Sequence, residues 1–218
     1  MDVVLVHSGV TDSREWDAVR ALLEPPHRVV TADLWQSRPL VDIVLDAIPD
    51  ERAALVGTSF GGRAALEAAA SAPDRVEALV VIGTNPFGWS DEVRAIGEHE
   101  EELYDAGRLD DAAELVVGAW LVGPHRSEED VPRELRELVF AMQRRVYELD
   151  EPQSGPLDPD EVRVRMLFVR GELDWPEVER AAERFPHAEQ AVVEGAAHLV
   201  TLERPDEVAR LVGAFLET

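Results

Sequence analysis

A serine, an aspartate and a histidine occur in that order along the chain, each at a turn just after a short apolar run. Ser59 is the apex of Gly57-Thr58-Ser59-Phe60-Gly61-Gly62, between Ala53-Ala54-Leu55-Val56 and the alanine-rich stretch 63–70. Asp174 ends Phe168-Val169-Arg170-Gly171-Glu172-Leu173-Asp174, and His198 ends Glu194-Gly195-Ala196-Ala197-His198. A serine hydroxyl is a poor nucleophile at neutral pH; it needs a base within hydrogen-bond reach, and the base needs an orienting acid. The residue types therefore point to acyl transfer, with Ser59 as nucleophile, His198 as base and Asp174 as acid. Glu172 and Asp206 are the runner-up acids. Pro176 beside Asp174 leaves a helix-capping role open for that aspartate.

The surroundings support this chemistry. A G-x-S-x-G run between a strand and a helix is the pattern of a nucleophile elbow, whose strained turn demands small neighbours. A phosphate loop is the competing reading, but the run lacks its spacing, and the chain contains no lysine. His7-Ser8-Gly9 follows the first apolar run. The N–H groups of Gly9 and Phe60 are the candidate oxyanion hole, and His7 reads as a structural prop for the loop. His27, His99, His125 and His187 fall in loops or on polar faces, and no histidine pair has metal-ligand spacing.

These residues need a scaffold of alternating strands and helices. Apolar runs at 3–6, 28–31, 53–56, 76–82, 164–169 and 189–193 read as strands, each followed by turn residues, as in buried parallel sheets. Helical spacing at 16–23 places Trp16, Val19, Leu22 and Leu23 on one face, and Pro25-Pro26 ends that helix. Further helices are expected from the alanine-rich stretch at 63 to about 72, at 176–185 and at 205–216. From residue 86 to residue 160 no convincing strand occurs; 92–104, 110–121 and 131–149 read as helices, and 150–156 as a linker. The expected organisation is an α/β domain of about six mostly parallel strands with helices on both faces. Its halves, 1–85 and 161–218, flank a helical insertion at 86–160. The acidic run at 98–102 reads as a solvated helix face.

Composition bounds the function. The 218 residues suit one domain, or one domain with an insertion. Without cysteine there is no disulfide, thiol nucleophile or cysteine-bound metal. The start reads as no signal peptide, no apolar run is long enough to span a membrane, and a cytoplasmic location is expected. The formal net charge of −24, with every basic residue but histidine an arginine, argues against nucleic acid and anionic membranes as partners. Such acidity suits a high-salt cytoplasm or reflects a GC-rich codon bias.

With these segments in view, the chain resembles the α/β-hydrolase superfamily over most of its length: 3–16, the elbow, 171–175 and 195–205, including His198-Leu199-Val200-Thr201-Leu202-Glu203-Arg204-Pro205. Within it, the chain is most similar to capped hydrolases related to 3-oxoadipate enol-lactonases and small carboxylesterases. Trp120-Leu121-Val122-Gly123-Pro124 matches a segment of their caps. The resemblance implies a cofactor-free serine hydrolase cleaving a carboxylic ester or lactone through an acyl-enzyme on Ser59, with 86–160 as cap and a small molecule as substrate. Phe87, Trp89, Trp120 and Phe140 are the candidate apolar lining, Trp120 first. A carbon–carbon bond hydrolase, an acyl-homoserine lactonase and a non-catalytic ligand sensor share these residues. Epoxide hydrolases and haloalkane dehalogenases carry aspartate at the elbow. Two departures stand out. The two customary leading strands are expected to be missing, which leaves 28–31 as a sheet edge and the protein a monomer or a homodimer. And 33–38 lacks the usual glycine-rich turn, with Trp35 in its place.

Overall fold

The structure, a computed structural model, describes residues 1–218. Six strands, β1 (Asp2–Val6), β2 (Arg28–Ala32), β3 (Ala53–Thr58), β4 (Val76–Ile82), β5 (Met166–Gly171) and β6 (Glu189–Val193), form one sheet. Their order is β2-β1-β3-β4-β5-β6 and every pairing is parallel. The central strands are apolar on both faces because both are covered. On one face Val4, Val6, Leu55, Leu79 and Phe168 pack against α2 (Leu40–Asp46), α3 (Phe60–Ser71) and α7 (Pro176–Glu183). On the other, Val3, Leu5, Ala54, Val56 and Val169 pack against α1 (Asp17–Leu23) and α9 (Pro205–Leu216).

The chain leaves β1 toward β2, then crosses back to β3 on the other side. Between β1 and β3 the connections diverge, which opens a crevice at the carboxyl ends of the strands. Val6 pairs with Gly57 there, so the loops carrying His7-Ser8-Gly9 and Ser59 leave the sheet side by side.

Between β4 and β5 the chain forms α4 (Asp91–Asp105), α5 (Leu109–Val116), a π-helical continuation (Val117–Val122) and α6 (Arg133–Val146). Leu121, Val122, Val131, Val139 and Met142 form an apolar cluster there, which takes in Leu199 from the turn after His198. This segment is therefore packed directly onto the chain that carries the histidine. A four-residue helix, α8 (Val200–Glu203), follows that turn. No helix is long and apolar enough to cross a membrane.

Several local expectations are revised. Leu22 is exposed, because Ser13–Trp16 forms a 3₁₀ turn and α1 starts at Asp17, in a phase that buries only Val19 and Leu23. α2 is a helix the residue pattern did not single out; it is seven residues long with no capping side chain. The expected helix at 110–121 changes to π winding at Val117. β2 does lie at a sheet edge.

Candidate active site

Ser59 has φ 52° and ψ −113°, the only positive φ outside glycine. Such a conformation is strained and persists only where packing enforces it. Gly57 and Gly61 allow that packing. A Cβ on Gly57 would overlap the Gly61 carbonyl, and one on Gly61 would overlap the carbonyls of Val6 and His7. The Ser59 N–H donates to the Ile82 carbonyl at 2.7 Å, which ties the turn to β4.

The structure brings the three sequence candidates together. Ser59 Oγ lies 2.8 Å from His198 Nε2, and His198 Nδ1 lies 2.8 Å from Asp174 Oδ1. Asp174 Oδ1 also accepts from the Trp175 N–H at 2.7 Å, so the carboxylate is fixed from two sides. His198 is 1% exposed and Asp174 is buried beside it, which shields the pair from water. The runner-up acids lie elsewhere: Glu172 accepts from the Gly195 N–H, and Asp206 is exposed on α9. Gly9 packs against Phe60, close enough that a Cβ added to Gly9 would press on the Phe60 Cβ. The Gly9 N–H has no acceptor within the protein. The Phe60 N–H is the first of α3, a position with no intrahelical acceptor.

His7 is fully buried. Its Nε2 accepts from the Leu34 N–H at 3.0 Å, which leaves the proton on Nδ1 to be donated to the Ser8 carbonyl at 2.8 Å. The ring is a loop prop, as expected. Trp35, whose role the sequence left open, donates its indole N–H to the Thr11 carbonyl at 2.9 Å.

A cavity of about 550 Å³ opens above Ser59 and His198. Trp35, Phe60, Trp89 and Trp120 give it an apolar wall; Arg63, Glu100 and Glu151 line it as well. Trp120 lies 4.7 Å from the His198 ring, centroid to centroid, and Trp89 lies 6.1 Å from it. Phe87 and Phe140 do not line it. Phe87 packs on Phe185 beneath the Arg184 guanidinium, and Phe140 packs against the apolar cluster of the 86–160 segment. Glu100 departs from its acidic run: it turns inward and accepts from Tyr147 Oη at 2.8 Å and Gln143 Nε2 at 3.1 Å. Burial pushes its carboxyl above the usual glutamate range, against the pull of those two donors. No group of three or more His, Asp or Glu side chains converges as a metal cage.

A profile described as "Alpha/beta hydrolase family" matches residues 3–211, which spans the sheet, the elbow and the histidine turn. The chain belongs to the alpha/beta hydrolase family. Among its relatives is the pimeloyl-[acyl-carrier protein] methyl ester esterase of Pectobacterium carotovorum subsp. carotovorum (strain PC1). The two are 25% identical over 247 residues, covering 99% of this chain and 94% of that one. Esterase YbfF of Escherichia coli (strain K12) is 27% identical over 194 residues, covering 83% of this chain and 73% of that one. In fold the chain is similar to the enol-lactonase from Burkholderia xenovorans LB400 (TM-score 0.78, 20% identity, 100% of this chain and 91% of that one). It is likewise similar to carboxylesterase CesB (YbfK) from Bacillus subtilis (TM-score 0.75, 24% identity, 99% and 83%).

In this alpha/beta hydrolase two further charged groups surround the site, the Arg126–Glu203 pair and Glu15, and sequence reasoning assigned a role to neither. Arg126 donates to the carbonyls of Leu121 (2.5 Å), Val122 (3.0 Å) and Gly195 (3.2 Å) and pairs with Glu203 at 2.5 Å. Glu203 in turn accepts from the Ala197 N–H at 2.9 Å. With the Trp175 indole donating to the Ala119 carbonyl at 3.0 Å, these bonds pin the π-helical segment, and Trp120 on it, over His198. Burial pushes the Glu203 carboxyl up, and Arg126 only partly offsets this. The second is Glu15, 1% exposed, beneath the loop that carries Gly9. Neither stood out in a chain with 45 acidic and 21 basic residues, where one more charge reads as surface.

Proposed function

We propose that this chain hydrolyses small carboxylic esters through an acyl-enzyme on Ser59. The carrying observation is the continuous bond path Ser59 Oγ–His198 Nε2 and His198 Nδ1–Asp174 Oδ1, with 2.8 Å at each link, on a strained elbow below an open cavity. His198 takes the Ser59 proton as Oγ attacks the ester carbonyl, and Asp174 holds the imidazole in the required tautomer. The N–H groups of Gly9 and Phe60 stabilise the oxyanion; losing one such donor costs about a hundred- to a thousandfold in rate. His198 then protonates the departing alcohol. Water, activated by the same imidazole, releases the acid and restores Ser59.

Residues 86–160 act as a cap whose Trp89 and Trp120, with Trp35 and Phe60 below, take the apolar part of the substrate. The names of the relatives support ester hydrolysis. The charge of the cavity supports a finer reading. Its one guanidinium, Arg63, is already paired with the buried Glu67 at 2.9 Å, while Glu100 and Glu151 face the cavity without a basic partner. An acyl chain that ends in a free carboxylate is therefore disfavoured relative to a neutral one.

The test has two parts. A fluorophosphonate probe should label Ser59, as mapped by mass spectrometry, and p-nitrophenyl butyrate should turn over. Ser59→Ala should lose at least about a thousandfold in kcat while its circular dichroism is unchanged. Across a panel of esters and lactones, dimethyl pimelate should exceed monomethyl pimelate in kcat/KM by about tenfold. Wild type and Ser59→Ala equally inert on the whole panel would overturn the hydrolase reading in favour of a ligand sensor.

A further inference from the structure

Of the buried carboxylates, Glu15 alone has no basic partner; Asp12, Glu67, Asp174 and Glu177 face Arg14, Arg63, His198 and Arg180. Three neutral donors hold it instead. Its Oε2 accepts from the Ser8 N–H at 2.7 Å and from Thr11 Oγ1 at 2.5 Å, and its Oε1 accepts from Thr201 Oγ1 at 2.6 Å. Burying a carboxylate is costly, and an apolar side chain of similar size would fill the space between α8 and the 3₁₀ turn more cheaply. What Glu15 supplies is a bridge. Ser8 immediately precedes the amide of Gly9, and Thr201 lies three residues beyond His198. Ser8 is thereby clamped at both ends: its N–H by Glu15 and its carbonyl by His7 Nδ1 at 2.8 Å. That carbonyl belongs to the same peptide unit as the Gly9 N–H. Holding it fixes the direction of the N–H.

We propose that Glu15 is a positioning residue that sets the Gly9 amide in register with the imidazole of His198. The inference rests on the ester-hydrolase reading of the same site. Glu15 touches no reacting atom; it acts by holding the oxyanion donor and the base at a fixed separation, so its loss is felt in the transition state more than in substrate binding.

The test compares Glu15→Met, Glu15→Gln and Thr201→Val with wild type on p-nitrophenyl butyrate. A trifluoromethyl ketone, which forms the tetrahedral adduct, serves as transition-state mimic. Glu15→Met should lower kcat by about a hundredfold and Glu15→Gln, which keeps one acceptor oxygen, by about tenfold, with KM within about twofold of wild type. Ketone affinity should fall by the same factor as kcat/KM. Thr201→Val, which leaves the grip on Ser8 but cuts the tie to the histidine turn, should lose a few-fold in both. A merely structural role would lower the melting temperature and leave ketone affinity unchanged. Should Glu15→Met fail to fold, the other two variants decide: unchanged kcat and ketone affinity in both would overturn the proposal. A wild type that turns over beside unaffected variants overturns this inference alone; a wild type neither labelled nor active overturns the hydrolase reading with it.

Discussion

Glu100 shows how a single carboxyl can be read from its environment. It faces the cavity, half-buried, and burial raises its pKa above the ordinary glutamate value despite bonds from Tyr147 and Gln143. A raised folded-state value means that ionisation is costlier in the native protein than in the unfolded chain. The penalty is absent below the unfolded value, grows as pH rises toward the raised folded value, and is complete above it. Glu100→Gln keeps an acceptor for both donors and removes the charge. It is expected to stabilise the protein at pH 8 and to give no advantage at pH 4, as urea denaturation at the two pH values will measure. The same substitution should narrow the preference for dimethyl over monomethyl pimelate, since one of the two unpaired cavity carboxylates is gone.

Among the elements, the π-helical segment Val117–Val122 carries the most consequence. Its hydrogen bonds close one residue later than those of an α-helix, and the wider winding lets Leu121 and Val122 stay buried with Leu199 while Trp120 turns to the cavity. The segment keeps that winding because Arg126 caps its carbonyls and reaches across to Gly195 and Glu203. The side chains of Arg126 and Glu203 are 10% and 4% exposed, so this pair is not a surface ion pair. Replacing Arg126 by methionine would strand a buried carboxylate. The expected loss is about 3–5 kcal/mol in chemical denaturation, partly recovered in Arg126→Met/Glu203→Gln. The single variant should also raise KM for apolar esters, because Trp120 loses its anchor over His198.

At the scale of the whole molecule the net charge of −24 dominates. Its ion pairs are mostly exposed and individually weak, while the excess acid repels itself at low ionic strength. Added sodium chloride is therefore expected to raise the urea midpoint. Screening alone is largely complete by a few tenths molar, where the Debye length falls to about 5 Å. A midpoint that levels off there fits an acidic composition set by codon usage; one that keeps rising toward molar salt marks an adaptation to high salt. The edges of the sheet are β2 and β6, and an unpaired edge strand is either covered by a second chain or kept apart from one by charge.

Much of the fold was legible in the residues alone. The bounds of β4, β6 and α9 follow from local apolar patterns. The order of Ser59, Asp174 and His198 at strand ends follows from turn residues after those patterns. Period and turn chemistry are local properties, so the chain states them directly. The burial of a charge is not local. Glu15 and Glu100 are two of 45 acidic residues, and nothing near them in sequence sets them apart from the solvated remainder. Nor could helical spacing foresee that π winding would turn Trp120 to the cavity while Phe87 and Phe140 packed elsewhere. Local patterns were enough to place the sheet strands, the elbow and the order of Ser59, Asp174 and His198. Which carboxylates turn inward, which aromatic rings reach His198 and what holds the Gly9 amide were settled only by tertiary packing, because those contacts join segments that no local pattern relates: Glu15 to Thr201, Trp120 to His198 and Glu100 to Tyr147.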